Sequence, residues 1–338
     1  MEKTGTYKAL NLEKFGEKTT VIEKQFRELQ KGEVLLKIMC TTVRPADEFL
    51  MKGQYGKNLP SLPLVPGMEG SGVIVDVAEG LDKSLIGKHA AAIFSSSNSS
   101  DFHGAWAEYS YASIYSLLVF DEKLEFDKIY SAQINPFTAV GMIDTIREHG
   151  VTSIAQSGSS SEFGRMFLRL CINQGIEVIN LVRKNQTIEE LTKFGGKHFV
   201  NTSENGWQEK FKNLAAELNV TVMFDCLGGD LTGQCLTALP DGSTLYHFGN
   251  LELKNVSSVS THDLIFRQKI IKGWWLSSWF ANSKIENVLK WKNFIKEDYE
   301  KGAPIFSTSY DEAFKFEDHE KAFESYRAHG KKPVIKFY

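Results

Sequence analysis

The chain has 338 residues, 42% hydrophobic and 24% charged, which is enough apolar material for one large or two ordinary domains and excludes a disordered protein. Its formal charge of -3 comes with scattered basic residues, so nothing suggests the sustained positive surface that nucleic acid requires, and no nucleic-acid partner is expected. Apolar runs such as YSLLVF and IKGWWL fall far short of the roughly 20 residues that cross a bilayer, and no membrane span is expected.

The opening MEKTGTYKALNLEKFG has no signal-peptide apolar region and is not the Arg-rich, acid-poor pattern of a transit peptide. Up to about Phe120, short alternating segments (TYKALNL, EVLLKIM, GSGVIVDV, KHAAAIF, AEYSYA) are broken by Gly and Pro, as in a compact, mostly antiparallel β domain. Within it SSSNSSDFHG, Ser95 to Gly104, reads as a surface loop, and no GxSxG elbow surrounds its serines. From about Tyr130 helix-period stretches alternate with buried strands: TSIAQS, IEVINLV, KHFVNT, VTVMFDC, GSTLYHF and IIKGWWL. Such alternation predicts parallel βαβ units. The last forty or so residues return to an extended segment, an amphipathic helix around His319 to Ala328 and a closing strand, KPVIKF. The four cysteines, Cys40, Cys171, Cys226 and Cys235, form no CxxC pair and sit in apolar contexts, as reduced core thiols would.

One stretch raises a question of chemistry. SIAQSGSSSEFGRMFLRLC, Ser153 to Cys171, begins as a strand, passes through small residues and ends as an amphipathic helix with Phe163, Phe167, Leu168 and Cys171 on one stripe. A dinucleotide is held at such a turn because bare amides and the positive helix end face the pyrophosphate. Gly158 and Gly164 are six apart, a spacing that is not specific because small residues between strand and helix are common; support comes from Arg183, just beyond the next strand, where NADP-preferring sites place a base for the 2′-phosphate.

These segments together resemble the medium-chain dehydrogenase/reductase superfamily over nearly the whole chain, and most closely its zinc-free branch of enoyl-thioester reductases and quinone oxidoreductases. RPADEFLMKGQYG resembles the branch's NPSD…GxYG segment, and PLVPGMEGSGVI its PxxxGxEGxG turn. INPFTA, SGSSSEFG, INLVRK, FDCLGG, LIFRQKIIKGWWLSSW and HGKKPVIKF follow in the family's order, with WWLSSW and INLVRK favouring the enoyl-reductase side. The resemblance implies an α/β architecture: a GroES-like, mostly antiparallel β domain over residues 1–130, a Rossmann doubly wound parallel-sheet domain over 131–285, and a return to the first domain over 286–338. The positions of the superfamily's catalytic zinc ligands look like Arg44 and Met68 here, and no four-cysteine cluster is present, so no metal is expected.

By the same resemblance the cofactor is NADPH. Gly158, Ser160, Ser161, Glu162, Phe163 and Gly164 would form the phosphate turn, Asn135 would meet the nicotinamide side, and Arg183, Lys184 and Asn185 the adenosine phosphate. His247, Phe248, Gly249 and Asn250 would line the loop after the fifth strand, Trp274, Trp275, Leu276 and Ser277 would follow the sixth, and Lys332 would approach from the C-terminal segment. Tyr55, in KGQYG, matches the tyrosine that protonates the α-carbon of a conjugated thioester; a phenol of ordinary pKa near ~10 keeps its proton at neutral pH until a strong base forms. The tryptophans have a second reading as a subunit interface.

Two residues depart from the pattern. Glu162 replaces the glycine where backbone approaches pyrophosphate, and its carboxylate either faces phosphate charge or points to solvent and favours the helix end. Arg44, where the branch usually has Asn, would clash with substrate or bind an acidic group. Three functions follow: an NADPH-dependent reductase of a conjugated carbonyl, foremost a 2-enoyl thioester; a quinone or alkenal reductase on the same fold; or a catalytically silent member serving as a structural subunit of a larger assembly. The family implies a homodimer and, for the enoyl branch, the mitochondrial matrix, with the cytoplasm as the alternative.

Overall fold

The computed structural model describes residues 5–94, 102–329 and 332–338; the serine stretch expected to be a loop lies, from Ser95 to Asp101, outside the described residues. The chain divides into two compact units, one formed by Met1–Ile134 with Lys292–Tyr338, the other by Asn135–Trp291.

The first unit opens with β1 (Thr6–Asn11) and β2 (Thr20–Gln25), an antiparallel pair. There follow β3 (Glu33–Thr42), helix α1 (Pro45–Met51), β4 (Glu69–Val77), β5 (His89–Ile93), β6 (Tyr109–Ser113) and β7 (Leu117–Val119). Pro45 starts α1 because its missing N–H costs nothing in a first turn. The second unit carries α2 (Ile134–Glu148), then β8 (Ser153–Gln156), α3 (Glu162–Asn173), β9 (Glu177–Val182), α4 (Asn185–Lys193), β10 (His198–Asn201), α5 (Trp207–Glu217), β11 (Val222–Asp225), α6 (Asp230–Ala238), β12 (Thr244–His247), β13 (Ile270–Gly273) and α7 (Leu276–Asn282). The chain then returns to the first unit through β14 (Glu312–Lys315), α8 (His319–His329) and β15 (Pro333–Lys336).

The sheet of the first unit runs β14-β15-β3-β4-β5-β7, with β6 also on β3. Its ladders are antiparallel except β14-β15, and β15 docks on β3 with Val334 opposite Thr42. Trp106, Leu36, Ile38, Leu50, Phe323 and Ile335 meet in its core. The sheet of the second unit runs β10-β9-β8-β11-β12-β13, every pair parallel. β8 and β11 are buried at every residue, as strands covered by helices on both faces must be. The strand order reverses between β8 and β11, and in open α/β sheets that reversal leaves a crevice outside the strands' carboxyl ends. The fold is therefore the expected pairing of a GroES-like β unit with a Rossmann unit.

Candidate nucleotide site

The phosphate turn lies between β8 and α3. Gly158 has φ +62°, and a Cβ there would come within 2.5 Å of Cys226 Sγ, so both its backbone and its space demand glycine. At Gly164 a Cβ would meet the Gly158 carbonyl oxygen at 2.5 Å, so glycine lets α3 pack directly on the turn. Ser161 caps the helix, its Oγ accepting the Gly164 N–H at 3.0 Å, and a tight turn closes from the Ser161 N–H to the Gly158 carbonyl at 2.9 Å. The buried Gln156 side chain donates to the Gly164 carbonyl at 3.0 Å and to Asn180 at 2.9 Å, tying the turn to β9.

Glu162 is the first residue of α3 and half-buried, with its Oε1 shielded from solvent. The carboxylate thus stands at the positive helix end with one oxygen kept from water. Phe163, the next residue, stacks on Phe167 at 5.6 Å and meets Phe248 with ring centroids 5.1 Å apart.

Beneath lies a network that the sequence reading did not single out. Asp225, the last residue of β11, is fully buried and accepts from Ser157 Oγ, Thr232 Oγ1 at 2.7 Å and His247 Nδ1 at 3.0 Å, as well as from the amides of Leu227 and Gly228. Burial alone would raise its pKa, but the hydrogen bonds from His247, Ser157 and Thr232 outweigh it and hold the carboxyl below its ordinary value. Asp225 thereby joins the exits of β8, β11 and β12. The available signal was a carboxylate ending the apolar segment VMFD, since a charge there must be heavily hydrogen-bonded to be buried.

The remaining candidates distribute by element. Arg183 and Lys184 are exposed at the exit of β9, and Asn185 begins α4 with its Oδ1 accepting from Asn201 at 2.8 Å. Asn250 binds the Lys254 amide through Oδ1 at 2.9 Å, and Gly249 follows Phe248 in the same half-buried loop. Trp274 turns its indole toward α2: its N–H donates to Thr145 Oγ1 at 3.0 Å and its ring crowds Gly141. Trp275 caps α7, and Leu276 and Ser277 form its first turn. Asn135 lies in the first turn of α2, and Ser160 is the exposed tip of the phosphate turn.

Tyr55 and Lys332 belong to the first unit. Tyr55 packs, partly buried, against the core that includes Leu50 and Met51, and the Lys332 amide donates to Asp311 at 2.8 Å. Arg44 precedes α1, and its Nη2 lies 3.3 Å from Oε2 of Glu69, whose side chain is fully buried. Glu69 Oε1 accepts the amides of Gln133 and Ile134 at 2.7 and 2.9 Å. Asp47, also buried, accepts the amides of Met68 at 2.8 Å and Arg44 at 2.9 Å. A guanidinium already paired with Glu69, beside a methionine that offers only its thioether, does not fit a zinc ion. Among the described residues no group of three or more His, Cys, Asp or Glu could hold a metal.

Residues 30–119 match the family model of the alcohol dehydrogenase GroES-like domain, and residues 163–293 that of the zinc-binding dehydrogenase. The mitochondrial enoyl-acyl-carrier-protein reductase of Arabidopsis thaliana is 26% identical over 265 residues, covering 77% of this chain and 68% of that protein. Its counterpart in Rattus norvegicus is 27% identical over 275 residues, covering 79% and 72%. A solved structure from Mesorhizobium loti, described as an NADPH:quinone reductase, shares the fold with a TM-score of 0.83 at 22% identity, over 99% of this chain and 100% of that one. With both units matched in their order along the sequence, the chain belongs to the medium-chain dehydrogenase/reductase superfamily.

Proposed function

We propose that this protein is an NADPH-dependent reductase of the zinc-free branch, acting on a conjugated carbonyl and foremost on a 2-enoyl thioester. The observation that carries the reading is the β8–α3 turn, where Gly158 and Gly164 let the helix pack directly on the exit of β8, so that its positive end stands at the crevice where a pyrophosphate would lie. Arg183 and Lys184, exposed beyond β9, suit a 2′-phosphate. The kinship with enoyl-acyl-carrier-protein reductases supports the substrate class. NADPH, when bound, supplies the hydride for the β-carbon. Ser160, Ser161 and Phe163 offer the turn to the diphosphate, His247 and Asn250 border the crevice, and Tyr55 gives its phenolic proton to the α-carbon as the enolate collapses.

One observation favours a second reading, the silent structural subunit: a carboxylate, one of its oxygens shielded from solvent, opens the helix at the turn that should receive an anion. For the active protein we also propose a homodimer, since β13 forms an outer edge of its sheet with Ile270 51% exposed and Phe266 nearby 73% exposed. The relatives' compartment supports the mitochondrial matrix.

The test is turnover of crotonyl thioester, a quinone and an alkenal with NADPH, for wild type and Tyr55→Phe. The reading expects the thioester to be preferred and the variant to lose about a hundredfold or more in turnover with its cofactor affinity intact. Preference for the quinone would move the substrate class; no turnover together with no NADPH binding would leave the silent subunit.

A further inference from the structure

β8 and β12 do not touch; β11 lies between them, and the two strands therefore run about 9–10 Å apart. Phe163 follows β8 by one turn and Phe248 follows β12 directly, yet their rings meet at 5.1 Å. A contact between those two exits passes over the carboxyl end of β11. The exits below are stitched together: the Ser157 amide donates to the Phe224 carbonyl at 3.0 Å, the Cys226 amide to Ser157 Oγ at 3.0 Å, and the Phe248 amide to the Asp225 carbonyl at 2.9 Å. Phe163 is further braced by its stack on Phe167, while both Phe163 and Phe248 stay half-buried. This is the place where an open α/β sheet receives its ligand.

We propose that Phe163 and Phe248 form an aromatic lid across the crevice, so that a dinucleotide enters only when the two rings part. The lid rests on the NADPH reading above and adds a rate to it: the ring contact must break during entry. An aromatic pair of this kind contributes a factor of roughly two to ten to the closed state. Removing one ring raises the population of the open state by that factor and accelerates entry accordingly.

The experiment is stopped-flow binding of NADPH to the full chain, followed by nicotinamide fluorescence, for wild type, Phe163→Val and Phe248→Leu, with circular dichroism to verify folding. The lid predicts association rates roughly two- to tenfold above wild type in each variant, and no further gain in the double variant. Binding at wild-type rates by both folded variants overturns the lid and leaves the cofactor reading in place. No NADPH binding by wild type or any folded variant overturns both. Should one variant fail to fold, the other carries the same comparison.

Discussion

Replacing Glu162 by Gln removes one negative charge from the first position of α3 while keeping the side chain's size, and replacing it by Gly removes charge and bulk together. With one carboxylate oxygen shielded from solvent, the local dielectric lies between that of water and that of a protein surface. A phosphate charge at roughly 5 Å is then opposed by between about 1 and 3 kcal/mol, and a middle value of about 2 kcal/mol is roughly thirtyfold in affinity. NADPH titration by fluorescence, at one fixed ionic strength, should therefore show Glu162→Gln binding about thirtyfold more tightly than wild type. Glu162→Gly should bind at least as tightly, and its melting temperature should fall, because glycine in a helix costs up to about 1 kcal/mol and the lost anion at the helix end some tenths more. If Glu162→Gln binds within twofold of wild type, the electrostatic argument is wrong. If the glutamine variant is unchanged but the glycine variant gains, bulk and not charge obstructs the turn.

Two further predictions concern other residues of the chain. Burial pushes the Asp47 carboxyl up to about 7, against the pull of the Met68 and Arg44 amides and the Arg44 guanidinium. The folded protein then holds a proton that the unfolded chain has released, so stability falls as pH rises from about 4 to 7, by roughly 1 kcal/mol per pH unit, and levels off above. Urea denaturation across that range should show the slope, and Asp47→Asn should flatten it; an equal slope in the variant would assign the titration elsewhere. For the dimer, Ile270→Lys on the exposed edge of β13 should shift light-scattering mass from two chains to one without loss of helix signal, whereas an unchanged mass would place any interface elsewhere.

Much of the fold was legible because its periodicities are local. The alternation in EVLLKIM and GSGVIVDV marks half-buried strands, whereas IEVINLV and VTVMFDC are continuous apolar runs, which only a sheet covered on both faces tolerates. The requirement for glycine at positions 158 and 164 was likewise visible as a pattern before its causes, Cys226 Sγ and the Gly158 carbonyl, were known. The Asp225 network was not legible in this way. Ser157, Thr232 and His247 reach one carboxylate only because β11 returns beside β8, about seventy residues further along the chain, and such a neighbour relation has no local signature. Arg44 is a similar case: as a letter it was an intrusion at the substrate end, and in the fold it is the counter-charge of buried Glu69.

The sequence by itself determined the type of each unit and the superfamily, since hydrophobic period, turn residues and motif order are properties of neighbours along the chain. Only the tertiary structure decided that one Glu162 oxygen is shielded from solvent, that Phe163 reaches Phe248, and that Asp225 binds three elements together. The reason is physical: burial, ring contact and charge pairing depend on distances through space, and strand order sets those distances without leaving a mark on any short segment.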